Sequence, residues 1–300
     1  MKKMYGVNTP IVCPMHEDGT VDYASLAKLC EYQIEKGVHG LYPNGSTGEM
    51  CYLSLDERKR VLECTIDAAQ HRTQVFGMAG CLTTEDTITL AQHAERCGAD
   101  GIGVVTPFYF KLDRKELVQH FKTVSQSVSK DFPIYLYGIP QYAVNDITPE
   151  LAEEIADACP NVAGIKYSWA DMPRLISFLK VRGGDFSVVA GVDDLFYCML
   201  CSGGDGVISG AANVIPELYV AVYDAFKAGD HKRASALQLR INDLNHALMG
   251  ANGMARFKAA LKYRGVIAEK QMRRPLRELD AEEETSLIAQ LESLRYTCVD

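Results

Sequence analysis

The sequence predicts an α/β protein: a (β/α)8 TIM barrel over residues 1–228, followed by a helical extension over residues 229–300. Three observations predict it. Eight short apolar runs alternate with eight amphipathic segments over about 228 residues, the number and length that a closed ring of eight strands needs. No Gly-x-Gly-x-x-Gly follows the first run, and a doubly wound open sheet usually stops at about five or six strands. Beyond residue 229 the helical pattern continues with no strand between its helices.

The strand-like runs are residues 6–13, 39–43, 75–79, 101–105, 133–137, 162–165, 186–190 and 206–208. Helical segments fall between them at 23–36, 55–69, 85–97, 114–128, 149–158, 172–180, 195–201 and 216–227. Their apolar residues recur at three and four, as in Leu26, Leu29 and Ile34, or Leu117, His120, Phe121 and Val124. Helix starts are marked by Ser54-Leu-Asp-Glu57, Thr84-Glu-Asp86 and Thr148-Pro149-Glu150. There a hydroxyl takes a free N–H, carboxylates favour the first turn, and proline fits it. The extension reads as helices at 230–248, 254–263 and 281–294, packed on the barrel and suited to subunit contacts. No Pro/Ser/Gly-rich linker, low-complexity tract or short repeat interrupts the chain.

Hydrophobic residues make up 47% and charged residues 23%, the balance of a soluble globular protein. The net charge of −8, with no basic cluster beyond Arg273-Arg274, argues against nucleic acid as a main partner. No run approaches ~18 apolar residues, and Met1-Lys-Lys-Met-Tyr5 leads directly into a strand-like segment. A cytoplasmic protein with no membrane partner is expected. The ten cysteines are scattered, and the one close pair, Cys198-Met-Leu-Cys201, lies in an apolar helical stretch. With no second pair and no histidine cluster, they are expected to be reduced, buried structural thiols. No metal and no cofactor is expected.

Chemistry in such a barrel sits at the carboxyl ends of the strands. Those ends read Pro43-Asn-Gly-Ser46-Thr47-Gly-Glu49, Thr106-Pro-Phe-Tyr109, Tyr137-Gly-Ile-Pro140, Lys166-Tyr-Ser168, Gly191-Val-Asp193-Asp194 and Ser209-Gly210-Ala211. Lys166 is the contradiction among them, because lysine on a buried strand is costly unless neutralised or paired. In one reading its stem snorkels to water. In the other it is held as a nucleophile. An ordinary lysine, with a pKa of ~10.4, is neutral in fewer than about one molecule in a thousand at pH 7, so such a site has to be built. Each neighbour also has a plain reading: a turn and helix cap at Ser46-Thr47, packing for the tyrosines, a cap at Asp193-Asp194. Together they suit imine chemistry, in which an amine attacks a ketone and hydroxyls carry the proton that expels water. The Gly-Ser-Thr-Gly loop is a seat for the carboxylate beside that ketone.

Gly45-Ser-Thr-Gly-Glu49, Tyr137-x-x-Pro140, Gly164-Ile-Lys166 and Gly206-Val-Ile-Ser209 resemble the class I, Schiff-base aldolases of the N-acetylneuraminate lyase and dihydrodipicolinate synthase family. The match runs in order at family spacing from about Gly6 to Tyr223, and the helical tail fits. The resemblance implies a cofactor-free enzyme forming an imine between Lys166 and a 2-oxo acid, with Tyr137 as acid/base. It implies that Ser46 and Tyr109 link Tyr137 to solvent, Tyr109 reaching a neighbouring subunit's site, and that Ser46 and Thr47 hold the substrate carboxylate. It also implies a homotetramer, a dimer of dimers.

Departures from the family bear on the substrate. In dihydrodipicolinate synthases an arginine two residues after the Tyr-x-x-Pro proline holds the carboxylate of aspartate semialdehyde. Here that position is Tyr142, and Lys111 nearby is only a point charge. The sialic-acid-lyase branch has an acidic pair after strand seven that binds sugar hydroxyls, where Asp193 and Asp194 stand, whereas Gly206-Val-Ile-Ser209-Gly210 is closer to the synthases and sugar-acid aldolases. Ser168, Gly191 and Gly210 complete the expected substrate-binding set. Tyr167, Trp169 and Gly138, the last where asparagine is usual, match no branch. The expected activity is reversible cleavage of a hydroxylated 2-oxo acid, of sialic acid or 2-keto-3-deoxy sugar acid type, to pyruvate and an aldehyde. The alternatives are synthesis of dihydrodipicolinate (4-hydroxy-tetrahydrodipicolinate) from pyruvate and aspartate semialdehyde, a dehydratase or decarboxylase using the same imine, and a non-catalytic regulator that binds a 2-oxo acid.

Overall fold

The structure is a computed structural model and describes residues 1–250 and 252–299. Every expected strand forms, and the strands close a parallel barrel in chain order. They are β1 (Gly6–Thr9), β2 (Gly40–Leu41), β3 (Gln74–Met78), β4 (Gly101–Val105), β5 (Ile134–Gly138), β6 (Val162–Tyr167), β7 (Ser187–Ala190) and β8 (Gly206–Ile208). The helices between and after them are α1 (Tyr23–Glu35), α2 (Leu55–Ala69), α3 (Thr84–Arg96), α4 (Arg114–Gln126), α5 (Pro149–Ala158), α6 (Met172–Phe178), α7 (Phe196–Cys201), α8 (Pro216–Lys227), α9 (His231–Leu248), α10 (Gly253–Tyr263) and α11 (Ala281–Ser293).

The chain divides into two compact units. The first joins Met1–Tyr5 to Gln74–Ile208 and so holds β3 to β8. Its strands are rich in residues sealed from water, among them Ile102, Val104, Leu136, Ile165 and Val188. Helix α4 buries Leu117, His120, Phe121 and Val124, the stripe its periodicity indicates. Met4 is also buried, and its N–H donates to the Tyr135 hydroxyl at 2.7 Å.

The second unit joins Gly6–Thr73 to the chain from Ser209 onward. Here β1 is shorter than the apolar run 6–13. Pro10 has no N–H to give a ladder, and the segment beyond it bonds to a side chain instead. Asn213 donates to the Pro10 carbonyl at 2.9 Å and accepts from Val12 N–H at 3.1 Å. The helical extension packs within this unit, α9 against α8 and α10 against α11.

Helix starts follow the chemistry of their first residues. Ser54 and Glu57 form a capping box, and Thr148 caps α5 with Pro149 in its first turn. At α3 the cap is Thr83 rather than Thr84, one residue earlier than expected. The cysteine expectation needs correcting. No disulfide links the ten cysteines, but only Cys13, Cys30, Cys81 and Cys159 are buried, whereas Cys51, Cys198 and Cys201 are exposed. Helix α7 turns Phe196, Met199 and Leu200 inward, which leaves Cys198 and Cys201 on its solvent side. Among the described residues no helix is long and apolar enough to cross a membrane.

Candidate active site

In the first unit the site begins with a register shift. Ile134 pairs with Val162, an offset that would set Lys166 opposite Gly138. Ala163 is an extra residue on β6, so Tyr135 pairs with Gly164 and Tyr137 with Lys166. The irregularity therefore re-aims the lysine at the tyrosine, as bulges near functional groups do. The Lys166 Nζ lies 4.1 Å from the centre of the Tyr137 ring. Lys166 is 5% and Tyr137 2% exposed, so the amine is held inside rather than snorkelled to water. The strand does not stop at the lysine as expected; it runs on to Tyr167.

Ser168, two residues beyond the lysine, is buried, and its N–H donates to the Gly138 carbonyl at 2.8 Å. Gly191 is glycine because of it: a Cβ there would sit 1.9 Å from the Ser168 hydroxyl oxygen. The expected acidic pair separates, Asp193 being buried and Asp194 exposed. Both fall in the short turn that leads into α7. Tyr142 is 76% exposed on the loop after β5, and Trp169 is half-exposed after β6. Tyr109 is 80% exposed, holds a left-handed backbone (φ 82) and meets Phe110 edge to face at 5.0 Å. A bulky residue in that region marks local strain, which collects at functional loops.

The second unit carries the hydroxyl loop. Ser46–Gly48 form a single tight turn, bracketed by left-handed Asn44 (φ 64) and Glu49 (φ 60). Ser46 and Thr47 are partly exposed, whereas Glu49 is buried beneath them. The Glu49 carboxylate meets Lys258 of α10 at 2.5 Å and accepts from the Arg273 N–H at 3.0 Å. Lys258 also donates to the Gln271 carbonyl at 2.7 Å. Arg273 clamps Glu57 with two bonds of 2.7 and 2.8 Å. Gly210 belongs to the same cluster, since a Cβ there would stand 2.8 Å from the Phe257 ring and 3.6 Å from the Thr47 hydroxyl. Burial pushes the nearby Cys13 thiol up to about 12, which keeps it protonated and inert.

The structure thus gathers Lys166, Tyr137, Ser168 and Gly191 in one unit, and Ser46, Thr47 and Gly210 in the other. Sequence reasoning missed Lys258, Arg273, Asp146 and Arg174. The glutamate closing the Gly-Ser-Thr-Gly-Glu motif was a signal for the first two, because a buried carboxylate requires a partner. Among the described residues no cluster of three or more His, Cys, Asp or Glu could hold a metal ion.

A closed barrel with a lysine buried on its sixth strand defines a class: the class I lyases, which form a Schiff base between a lysine and pyruvate. Within that class the chain belongs to the dihydrodipicolinate synthetase family, whose family model matches residues 3–294. It is 38% identical over 265 residues to the 4-hydroxy-tetrahydrodipicolinate synthase of Acidiphilium cryptum, covering 88% of this chain and 90% of that one. In structure it is similar to YagE of E. coli K12, a prophage protein of the dihydrodipicolinic acid synthase family solved with pyruvate. That match has a TM-score of 0.93 and 31% identity over 97% of this chain and 99% of the other. It is similar as well to a catalytic lysine mutant of the sialic acid aldolase of Ruminococcus gnavus, with a TM-score of 0.90 and 29% identity over 97% and 96%.

Proposed function

We propose that Lys166 forms an imine with pyruvate, or with a larger 2-oxo acid that is cleaved to it, and that the protein makes or breaks a carbon–carbon bond through that imine. The observation that carries this reading is the buried Lys166 amine over the Tyr137 ring. Nζ attacks the C2 ketone, and the carbinolamine loses water to give an iminium. Tyr137 supplies and takes protons, with Ser46 and Tyr109 as the relay to solvent. The hydroxyls of Ser46 and Thr47 seat the carboxylate. Loss of a C3 proton gives an enamine that attacks an aldehyde. In reverse, a proton leaves the C4 hydroxyl, the C3–C4 bond breaks and its electron pair enters the iminium. The enamine left behind takes a proton at C3, and hydrolysis of the resulting iminium frees pyruvate and returns the amine.

The named relatives favour the synthase direction, with aspartate semialdehyde as the aldehyde, over the sugar-acid direction. Tyr142 supports the second reading, a lyase of sialic acid or 2-keto-3-deoxy sugar acids, because it offers no guanidinium for a second carboxylate. The exposed Tyr109–Phe110 pair supports assembly into a homotetramer, and the cytoplasm is the expected compartment.

Borohydride reduction in the presence of pyruvate tests the shared step. A mass adduct on wild type that is lost in Lys166→Ala is expected; pyruvate bound to folded protein with no adduct would make the chain a non-catalytic 2-oxo-acid binder. Turnover of aspartate semialdehyde against a set of 2-oxo sugar acids separates the two directions. If residue 142 sets the choice, Tyr142→Arg raises semialdehyde turnover by about tenfold, the scale of one charge-assisted contact. No change would remove residue 142 from the argument.

A further inference from the structure

Gly138 and Tyr167 are explained together by geometry. They are partners across β5 and β6. A Cβ at Gly138 would stand 2.5 Å from Cδ2 and 2.8 Å from Cε2 of Tyr167, so the tyrosine ring fills the space of the missing side chain. Tyr167 follows Lys166 and therefore points to the opposite face of the strand. Its ring packs against Phe178 of α6 at 5.2 Å and is sealed from water.

Its hydroxyl sits in a three-part cluster. It accepts from Arg174 Nη1 at 2.6 Å and donates to Asp146, 3.2 Å away. The same Arg174 nitrogen pairs with Asp146 Oδ2, and Asp146 Oδ1 accepts from the Ile147 N–H at 2.8 Å. Burial, with help from Asp146, raises the Tyr167 phenol to about 12, so it remains a donor throughout the working range.

The next residue carries the connection onward. Asn145 is buried, and its amide donates to the carbonyls of Pro107 at 2.6 Å and Phe110 at 2.9 Å. Its side-chain oxygen accepts from Leu112 N–H at 2.8 Å, and its carbonyl accepts from the Thr106 hydroxyl at 2.7 Å. Hydrogen bonds and one intervening peptide thus lead from the back of the lysine strand to both sides of Tyr109, the residue held at φ 82.

We propose that Tyr167, Asp146 and Arg174 form a latch behind the lysine that, through Asn145, holds the loop bearing Tyr109 in place, making Tyr167 a positioning residue for the proton relay. The inference rests on the imine reading above. A displaced Tyr109 slows loss of water from the carbinolamine while leaving pyruvate affinity almost unchanged, because Tyr109 is not one of the hydroxyls that seat the carboxylate. Misplacing a reacting group by a fraction of a side chain costs ~10-fold to 10²-fold in rate.

The test is the single-turnover rate of trappable imine formation in Tyr167→Phe, Tyr109→Phe and the double variant, each at saturating pyruvate. Tyr167→Phe keeps the ring over Gly138 and removes only the hydroxyl. It is expected to slow imine formation about tenfold with KM for pyruvate within about twofold, and to add nothing further in the Tyr109→Phe background. A wild-type rate in Tyr167→Phe, or rate losses that multiply in the double variant, would overturn the latch. Arg174→Lys serves as the second variant, expected to slow the step in the same Tyr109-dependent way while retaining charge. If wild type itself gives no adduct at Lys166, the imine reading fails instead, so the two failures are distinct.

Discussion

Among the described residues two lysines are buried, one in each unit, and they are buried differently. Lys258 is sealed from water with its nitrogen 2.5 Å from the Glu49 carboxylate and bonded to the Gln271 carbonyl. Lys166 has its nitrogen over the Tyr137 ring. One amine is committed to a carboxylate and serves as a rivet under the hydroxyl loop. The other lies over an aromatic face, where the proposed imine chemistry needs it. Burial alone therefore says little about a lysine's role; the group that faces its nitrogen says more.

The contrast is sharpened first by substitution. Lys166→Ala is expected to abolish pyruvate trapping and turnover, with the thermal midpoint shifted by no more than a few degrees. Lys258→Met strands a buried carboxylate and is expected to cost about 3–5 kcal/mol in denaturant unfolding. Combining it with Glu49→Gln should cost much less than the sum of the single changes, because the pair is then removed together. Equal stability losses at the two lysines would erase the distinction.

A third buried base extends the comparison. His120 is held by a 2.9 Å contact between Nδ1 and the Thr84 hydroxyl, and its Nε2 makes no hydrogen bond. Burial lowers its pKa from 6.5 to about 4, and Glu85 opposes the shift. Between those values the unfolded chain binds the proton and the folded one does not, so stability is full above pH 6.5 and is lost as pH falls towards 4. The loss is expected to reach up to about 3 kcal/mol, and His120→Gln should flatten that part of the profile of unfolding free energy against pH. An unchanged profile would show that other groups set it.

Much of the barrel was legible because its signals are local. Periodicity located each strand and helix, and Ser54 and Thr148 marked helix starts that the structure keeps. What was hidden is what depends on partners distant in sequence. Glu49 signals that a partner is needed but not that it is Lys258, and nothing near Pro10 shows that Asn213 takes over its strand's bonds. The extra residue at Ala163, which turns Lys166 towards Tyr137, leaves no local mark because alanine fits a regular strand as well. Gly138 and Tyr167 read as two unrelated departures in the sequence, because only the folded chain lays the ring over the glycine.

The most direct measurement is a crystal structure of the protein soaked with pyruvate. The account predicts continuous density from Lys166 Nζ to the pyruvate C2, with the carboxylate against the Ser46 and Thr47 hydroxyls and the Tyr137 phenol beside the new bond. Pyruvate lying elsewhere, or joined to any other lysine, would contradict it.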